Sequence, residues 1–283
     1  MEKRGKIYMV KQLFKICAAP LLLCLMFLTG CNVDILGLFG TTDLDKRMEE
    51  RNNFKFLTTN ERNLSLTDEY SFIVLTDIHI EDGKAWGLEK LKDVIKADSS
   101  IKFAVITGDI TQYGSTQDIK KFIEIASSLN VPCYPVIGNH DVFFGNWPHW
   151  KDMIGSTRYR INGSTATLFI LDSASAYFGK DQLDWLEKEI KTARGRVFVF
   201  SHANIFVKSP VDIQQFTDTK ERARLVSILR NKGDIMFMGH VHKRIINKAG
   251  NVQYISIEDF RHNRNYCVVS VGKNGISIRH EKL

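Results

Sequence analysis

The feature that most constrains this 283-residue chain is an alternation that begins at residue 71. Short, near-continuous apolar runs occur at 71–76 (SFIVLT), 101–107 (IKFAVIT), 133–137 (CYPVI), 166–171 (ATLFIL), 196–200 (RVFVF) and 234–238 (DIMFM). Runs of this length, rich in β-branched and aromatic residues, predict strands buried on both faces. Helical patterns lie between several of them: WGLEKLKDVIKA from Trp86, TQDIKKFIEIASSLN ending at Asn130, KDQLDWLEKEIKTA from Lys180, and DTKERARLVSILRNKG, for which Gly233 is a candidate C-cap. Buried strands separated by helices predict an α/β domain. The tail differs. KRIINKAGNVQYISI and NYCVVSVGKNGISIRH read as hairpins turning at Ala249-Gly250-Asn251 and Lys273-Asn274-Gly275, so a second, more antiparallel sheet region is expected to close the fold. A chain that is 44% hydrophobic and 25% charged excludes collagen, coiled coil and disorder. Its net charge of +7 is uneven, with more than half of the excess in residues 1–15, so no specific nucleic-acid binding is expected from it.

That basic segment (Lys3, Arg4, Lys6, Lys11, Lys15) precedes an uncharged, mostly apolar stretch from Ile16 to Gly30. The order is that of a signal peptide, and as a helix the stretch would rise only about 22 Å, short of a bilayer span. It closes on Leu28-Thr29-Gly30-Cys31, which resembles the lipobox of bacterial lipoproteins, where cleavage precedes a cysteine that carries lipid. The resemblance implies a signal peptide over 1–30, lipid on Cys31, and a lipid-anchored tether over 31–70 that packs one helical turn or strand on the domain at 71–283. An uncleaved anchor is the alternative, since the uncharged stretch runs on to Val33. Both readings put the domain outside the cytoplasm, membrane-anchored at the bacterial cell envelope. Of the five cysteines, Cys133 and Cys267 then remain; two buried free thiols are expected, with a disulfide between them as the alternative.

The chemistry sits where the apolar runs end. Asp77 and His79 follow the first, Gly108-Asp109 the second, Gly138-Asn139-His140-Asp141 the third, Ser201-His202 the run at 196–200, and Gly239-His240-Val241-His242 the run at 234–238. Carboxyl ends of strands in α/β sheets share one rim, where ligands bind. Asp77 and His79, two apart on an extended segment, would lie on one face. Asp77, His79, Asp109, Asn139, His202, His240 and His242 are too many donors for one four-coordinate zinc and suit two ions sharing a carboxylate, for which Asp109 is the natural bridge. The set holds no thiolate; it fits Mn, Fe, Zn or Ni rather than Cu(I). Two ions about 3.5–4 Å apart serve in-line attack at phosphorus.

These five blocks, in order across residues 77–242, resemble the signature of the calcineurin-like metallophosphoesterases: Asp-x-His, Gly-Asp, Gly-Asn-His-Asp/Glu, a lone His, and Gly-His-x-His. The resemblance implies an αββα sandwich of two mixed β-sheets flanked by helices, with a dinuclear metal site at the strand C-terminal ends. One ion would take Asp77, His79, Asp109 and His242; the other would take Asp109, Asn139, His202 and His240. His140 would be the catalytic acid that protonates the leaving alkoxide. The implied reaction is hydrolysis of a small phosphoester, a diester above all, by a hydroxide held between the ions. The alternative is a non-catalytic surface lipoprotein that binds a phosphorylated ligand through its metal site. In the protein Ser/Thr phosphatases of this superfamily an Asp and an Arg stand where this chain has Gln112 and Tyr113. The block Gly108-Asp109-Ile110-Thr111 looks more like the branch of cyclic-nucleotide phosphodiesterase-like enzymes. With that Asp replaced, Asp141 or a backbone carbonyl is left to tune His140. His149, His262 and His280 lack matching contexts and read as surface or packing residues, Asp172 as a turn or supporting residue, and Trp147 and Trp150 as either a wall of the substrate site or packing.

Overall fold

The computed structural model describes residues 43–206, 216 and 218–283. The expected signal peptide and Cys31 lie outside the described residues, and among the described residues no helix is long and apolar enough to cross a membrane.

Two sheets form the centre. In the first, β2 (Tyr70–Leu75), β3 (Ile101–Thr107) and β4 (Cys133–Val136) run parallel, and β11 (Asn265–Gly272) and β12 (Gly275–Lys282) extend it in the order β12-β11-β2-β3-β4. The second has the order β1-β5-β6-β7-β8-β10-β9, from β1 (Asn63–Leu64), β5 (Tyr159–Gly163), β6 (Ala166–Ile170), β7 (Arg196–Phe200), β8 (Ile235–Met238), β9 (Ile245–Ala249) and β10 (Val252–Ser256). In it β6, β7, β8 and β10 are parallel, whereas β5 is antiparallel to β6 and β9 to β10. Both sheets are therefore mixed. The tail hairpins do not build a separate antiparallel region as expected. β9–β10 joins the seven-stranded sheet alongside β8, and β11–β12 joins the five-stranded sheet with β11 antiparallel to β2. The reason lies in the inner strand of each hairpin. β10 and β11 carry enough apolar residues to be covered, whereas their partners β9 and β12 alternate polar residues outward and end the sheets.

The near-continuous apolar runs follow from layering. Phe72, Val74, Phe103 and Val105 point between the sheets towards Phe198, Phe200 and Phe237. Phe72 is the hub, its ring centroid 4.6 Å from that of Phe103 and 4.9 Å from that of Phe198. The alternate residues Ile73, Leu75, Ala104 and Ile106 face outward under α2 (Leu91–Ala97) and α3 (Thr116–Ser127), which contribute Leu91, Ile95, Ile119 and Phe122. α3 starts where Ser115 accepts from the Asp118 amide and donates to its carboxylate, a reciprocal cap. On the other side, Phe169, Val197, Val199, Met236 and Met238 lie under α5 (Lys180–Glu189) and α6 (Thr219–Leu229). The order is helix, sheet, sheet, helix, with the central strands β2, β3, β4, β6, β7 and β8 buried on both faces.

The segment expected as a tether is built into the domain from residue 43. In α1 (Asp43–Glu49), Leu44, Arg47 and Met48 are buried, and Arg47 makes a two-pronged contact with buried Asp172, 2.6 and 3.1 Å long. Downstream, Phe54 bridges to Gly155 and β1 pairs in parallel with β5. Trp147 and Trp150 lie on α4 (Trp147–Met153) and are buried, Trp150 completely. Cys133 and Cys267 are free and buried, on strands of the same sheet separated by β2 and β3.

Candidate metal centre

The strand ends deliver their side chains to one rim. Asp77 and His79 leave β2, Asp109 leaves β3, Asn139 and His140 leave β4, His202 leaves β7, and His240 and His242 leave β8. The two sheets meet there. His202 Nε2 lies 2.9 Å from Asn139 Oδ1 and 3.2 Å from Asp109 Oδ2; His240 Nδ1 is 3.0 Å from Asn139 Oδ1; His242 Nε2 is 3.2 Å from Asp77 Oδ1. His79 Nε2 stands 3.8 Å from both Asp77 Oδ1 and Asp109 Oδ2, and His140 Nε2 is 4.0 Å from Asp109 Oδ2. All eight sequence-predicted residues are thus brought together. They form overlapping groups: Asp77, His79 and His242; His79, Asp109 and His140; Asp109, His202 and His240.

The local backbone departs from the expected route. Asp77 and His79 are not alternate residues of an extended strand. Both are left-handed, with φ 52° and 49°, as are Asp109 (49°), His240 (71°) and His242 (53°). Asp and His tolerate this conformation better than most residues, and strained backbone of this kind clusters at functional sites. The turns are held by bonds between strand ends: Asp77 N donates to Gly108 O (3.1 Å) and His79 N to Asp109 O (2.9 Å). Two glycines permit the close approach. A Cβ on Gly108, at φ 92°, would sit 2.4 Å from His202 Nδ1, and one on Gly239 would sit 1.9 Å from Thr76 Oγ1.

The donor set fits divalent cations. Both ring nitrogens of His79 are buried without a hydrogen-bond partner, and elsewhere lone-pair donors of Asn139, Asp109, His202 and His240 face one another at hydrogen-bond distance. Such groups need a shared cation or proton between them. The electrostatics agree. Burial opposes ionisation of Asp109, but the imidazoles of His202, His140 and His79 around it hold its carboxyl well below the usual carboxylate range. Burial likewise opposes ionisation of Asp77, yet His242 and His202 hold it low. Burial pushes His79 down to about 4, keeping its imidazole neutral. His202 is pulled down by burial but pushed up to about 9 by the Asp109 carboxylate.

Supporting contacts fix these groups. His202 Nδ1 donates to Thr107 O (2.9 Å), which leaves Nε2 facing the rim. Asp77 Oδ2 accepts from Thr76 Oγ1 (2.8 Å) and from the His240 amide (3.0 Å). His140 Nδ1 donates to the Gln112 carbonyl (2.9 Å), so of the two orienting groups weighed for His140 the backbone carbonyl is the one present. Asp141 turns away, accepting from the amides of Gly138, Ile110 and Thr111 and from the Thr111 hydroxyl. Burial and nearby Asp109 push Asp141 up to about 6.

Sequence reasoning missed several neighbours of the site. Arg261, on the short helix α7 (Phe260–Asn263), reaches Gln112 Oε1 (2.5 Å) and Glu81 Oε2 (2.6 Å), and Trp86 Nε1 donates to His79 O (2.9 Å). Asp259 and His262 form a further group with His242. The only available signal was their nearness in sequence to the strand after His242, because these contacts join segments up to 180 residues apart. Of the other histidines, His149 Nδ1 donates to Gly114 O (3.0 Å), and His280 Nδ1 lies 3.2 Å from Cys267 Sγ. Asp172 faces Arg47 rather than the rim.

Comparison with known proteins agrees with this geometry. A protein of Fibrobacter succinogenes named "Probable cyclic nucleotide phosphodiesterase" is 25% identical over 176 residues, covering 57% of this chain. One of Arcobacter nitrofigilis named "Probable glycerophosphodiester phosphodiesterase" is 28% identical over 159 residues, covering 49% of this chain. The chain spans 62% of the length of the first and 56% of the second. Among solved structures, a dimetal phosphatase from Danio rerio superposes with a TM-score of 0.60 at 14% identity, over 75% of this chain and 95% of that one, a likeness of fold. The profile described as calcineurin-like phosphoesterase matches residues 70–244. That match runs from the first residue of β2 through His242, through every strand that ends in a site residue, and on it the chain belongs to the calcineurin-like phosphoesterase family.

Proposed function

We propose that this protein hydrolyses small phosphoesters, diesters in preference to monoesters, at the rim where its two sheets meet. The observation that carries the reading is the Asp109 carboxylate, in reach of donors from both sheets and with His140 beside it. Asp77, His79, Asp109 and His242 would hold one divalent cation, and Asp109, Asn139, His202 and His240 a second. When bound, a pair drawn from Mn, Fe, Zn or Ni supplies an activated water and neutralises phosphoryl charge. His140 provides the remaining function. Its Nδ1–H is committed to the Gln112 carbonyl, so Nε2 faces the rim; the doubly protonated ring gives its Nε2 proton to the leaving oxygen as the P–O bond breaks and is left as the neutral Nδ1–H imidazole. The diesterase names of both relatives support the choice of diesters.

The test loads the protein with Mn and assays bis-p-nitrophenyl phosphate against p-nitrophenyl phosphate. Turnover with a faster diester rate is expected, together with a loss of at least ~100-fold in Asn139→Ala. No turnover of either ester, or of a wider phosphoester panel, would refute the reading.

We also propose that residues 1–30 are a signal peptide and that lipid on Cys31 anchors the domain outside the cytoplasm, at the bacterial cell envelope. The support is the basic segment, the apolar stretch and Leu28-Thr29-Gly30-Cys31. Metabolic labelling with a fatty acid should mark the wild type and not Cys31→Ser; equal labelling of both would overturn the assignment.

A further inference from the structure

The contacts of Arg261 tie together two loops that carry site residues, those after β2 and β3. From α7 its main-chain amide donates to Asp77 O (3.1 Å). Its guanidinium donates through Nη1 to Gln112 Oε1 (2.5 Å) and through Nη2 to Glu81 Oε2 (2.6 Å), and it lies 5.1 Å from the centroid of the Trp86 ring. Trp86 in turn donates to the carbonyl of His79 (2.9 Å). The Arg261 carbonyl accepts from Arg264, so the helix end that presents it is itself tied. A planar, always-charged fork suits this double engagement better than an ammonium would.

Gln112 is where this clamp meets the chemistry. Its amide donates to Ile80 O (2.9 Å), its side chain is held by Arg261, and its carbonyl accepts from His140 Nδ1 (2.9 Å). It follows the last backbone bridge of the loop, Ile80 with Thr111, and no helix or strand holds the residues from 112 to 115. The direction of one peptide plane therefore decides how the His140 ring is held. With the carbonyl towards the ring, Nδ1–H has its acceptor and Nε2 faces the rim. With that plane turned over, an N–H would face Nδ1–H and the ring would lose the contact that aims Nε2.

We propose that Arg261 is a positioning residue for the proton donor: by clamping Gln112 against Glu81 it fixes the carbonyl that accepts from His140 Nδ1–H and so aims Nε2 at the rim. The role stands in place of the carboxylate found near this position in the protein phosphatases, which this chain lacks. The idea rests on the hydrolytic reading above for its kinetic consequence, whereas its structural half is read without catalysis.

The experiment compares Arg261→Met, Gln112→Ala, the double variant and His140→Gln. Two diesters are used: bis-p-nitrophenyl phosphate, whose leaving group needs little protonation, and glycerophosphoethanolamine, which must expel an alkoxide. Arg261→Met and Gln112→Ala should each lower kcat on the alkoxide ester by roughly tenfold and on the nitrophenyl ester by less than about twofold, part of the roughly 100-fold or greater contribution of a general acid. The double variant should lose no more than either single one, since both remove the same contact. His140→Gln should show the same split, enlarged. In parallel, crystal structures of the wild type and of both single variants compare the placement of the His140 ring. The wild type should keep Nδ1 at hydrogen-bond distance from Gln112 O, and both single variants should lose that contact.

An unchanged contact between His140 Nδ1 and Gln112 O in Arg261→Met and Gln112→Ala would overturn the proposal, as would equal losses on the two esters or a rise in KM alone. A displaced His140 ring in the variants alongside a wild type inactive on both esters would uphold the clamp and refute the hydrolytic reading.

Discussion

Replacing Arg47 by alanine tests whether α1 is part of the folded domain. Arg47 is 2% exposed and Asp172 is fully buried; their fork-like contact is 2.6 and 3.1 Å long, and Arg47 also reaches Ser175 Oγ (3.1 Å). Truncating the arginine leaves a carboxylate in the interior that keeps one donor on the same oxygen, the Ala174 amide at 3.1 Å. Removing one partner of a buried pair costs about 3–5 kcal/mol, and the surviving bond puts this case near the lower figure. With a urea m-value of roughly 2–3 kcal/mol/M, the midpoint of unfolding should fall by about 1–1.5 M. The second variant, Arg47→Met with Asp172→Asn, removes both charges and should recover at least half of the loss, because much of the penalty belongs to the stranded charge. Urea unfolding followed by tryptophan fluorescence reads both. A shift below about 0.3 M for Arg47→Ala would refute the reasoning. It would mean that the helix detaches without consequence and that the domain begins nearer residue 70.

Gly108→Ala places a Cβ 2.4 Å from His202 Nδ1 at a φ of 92°; it should destabilise the protein by about 2–3 kcal/mol and lower the metal content read by elemental analysis. Unchanged melting and metal content would show that the His202 ring is not held as described. Burial pushes the thiols of Cys133 and Cys267 each up to about 12, so the thiolate is stabilised only far above neutral pH. Alkylation of these two, read peptide by peptide by mass spectrometry, should stay negligible between pH 7 and 9 in the folded protein and become complete in denaturant. Alkylation of the folded protein as fast as that of the denatured chain would contradict their burial. A chelator should lower the melting temperature, and excess Mn should restore it, because a cation bound only by the folded state stabilises it by mass action. An unchanged melt would count against a metal centre.

Much of this could be read from the sequence, for physical reasons that also mark where reading stopped. Residues of β2, β3, β7 and β8 are mostly buried on both sides and so mostly apolar; that leaves Asp77, Asp109, His202 and His240 conspicuous just past the strand ends. β5 escaped notice because Tyr159–Gly163 alternates buried and exposed residues and holds Arg160 and Asn162. The placement of the two tail hairpins was hidden too, since sheet membership depends on which distant strand offers an open edge. The reason given for Asp77 meeting His79 was wrong although the meeting was right, because left-handed backbone at Asp or His leaves only a weak residue signature, far weaker than glycine's. The orienting group of His140 is a carbonyl, which every residue owns, so its choice among Gln112, Tyr113 and their neighbours cannot be spelled by side chains.

The five left-handed residues of the rim, Asp77, His79, Asp109, His240 and His242, limit how such a site can decay. A descendant that abandoned metal could not fill these places freely, because branched or bulky side chains fit that conformation poorly, whereas Asn, Asp, His and Gly accept it. Loss of chemistry would therefore leave a scar of small polar residues at strand ends. An inactive cousin would still look half-armed.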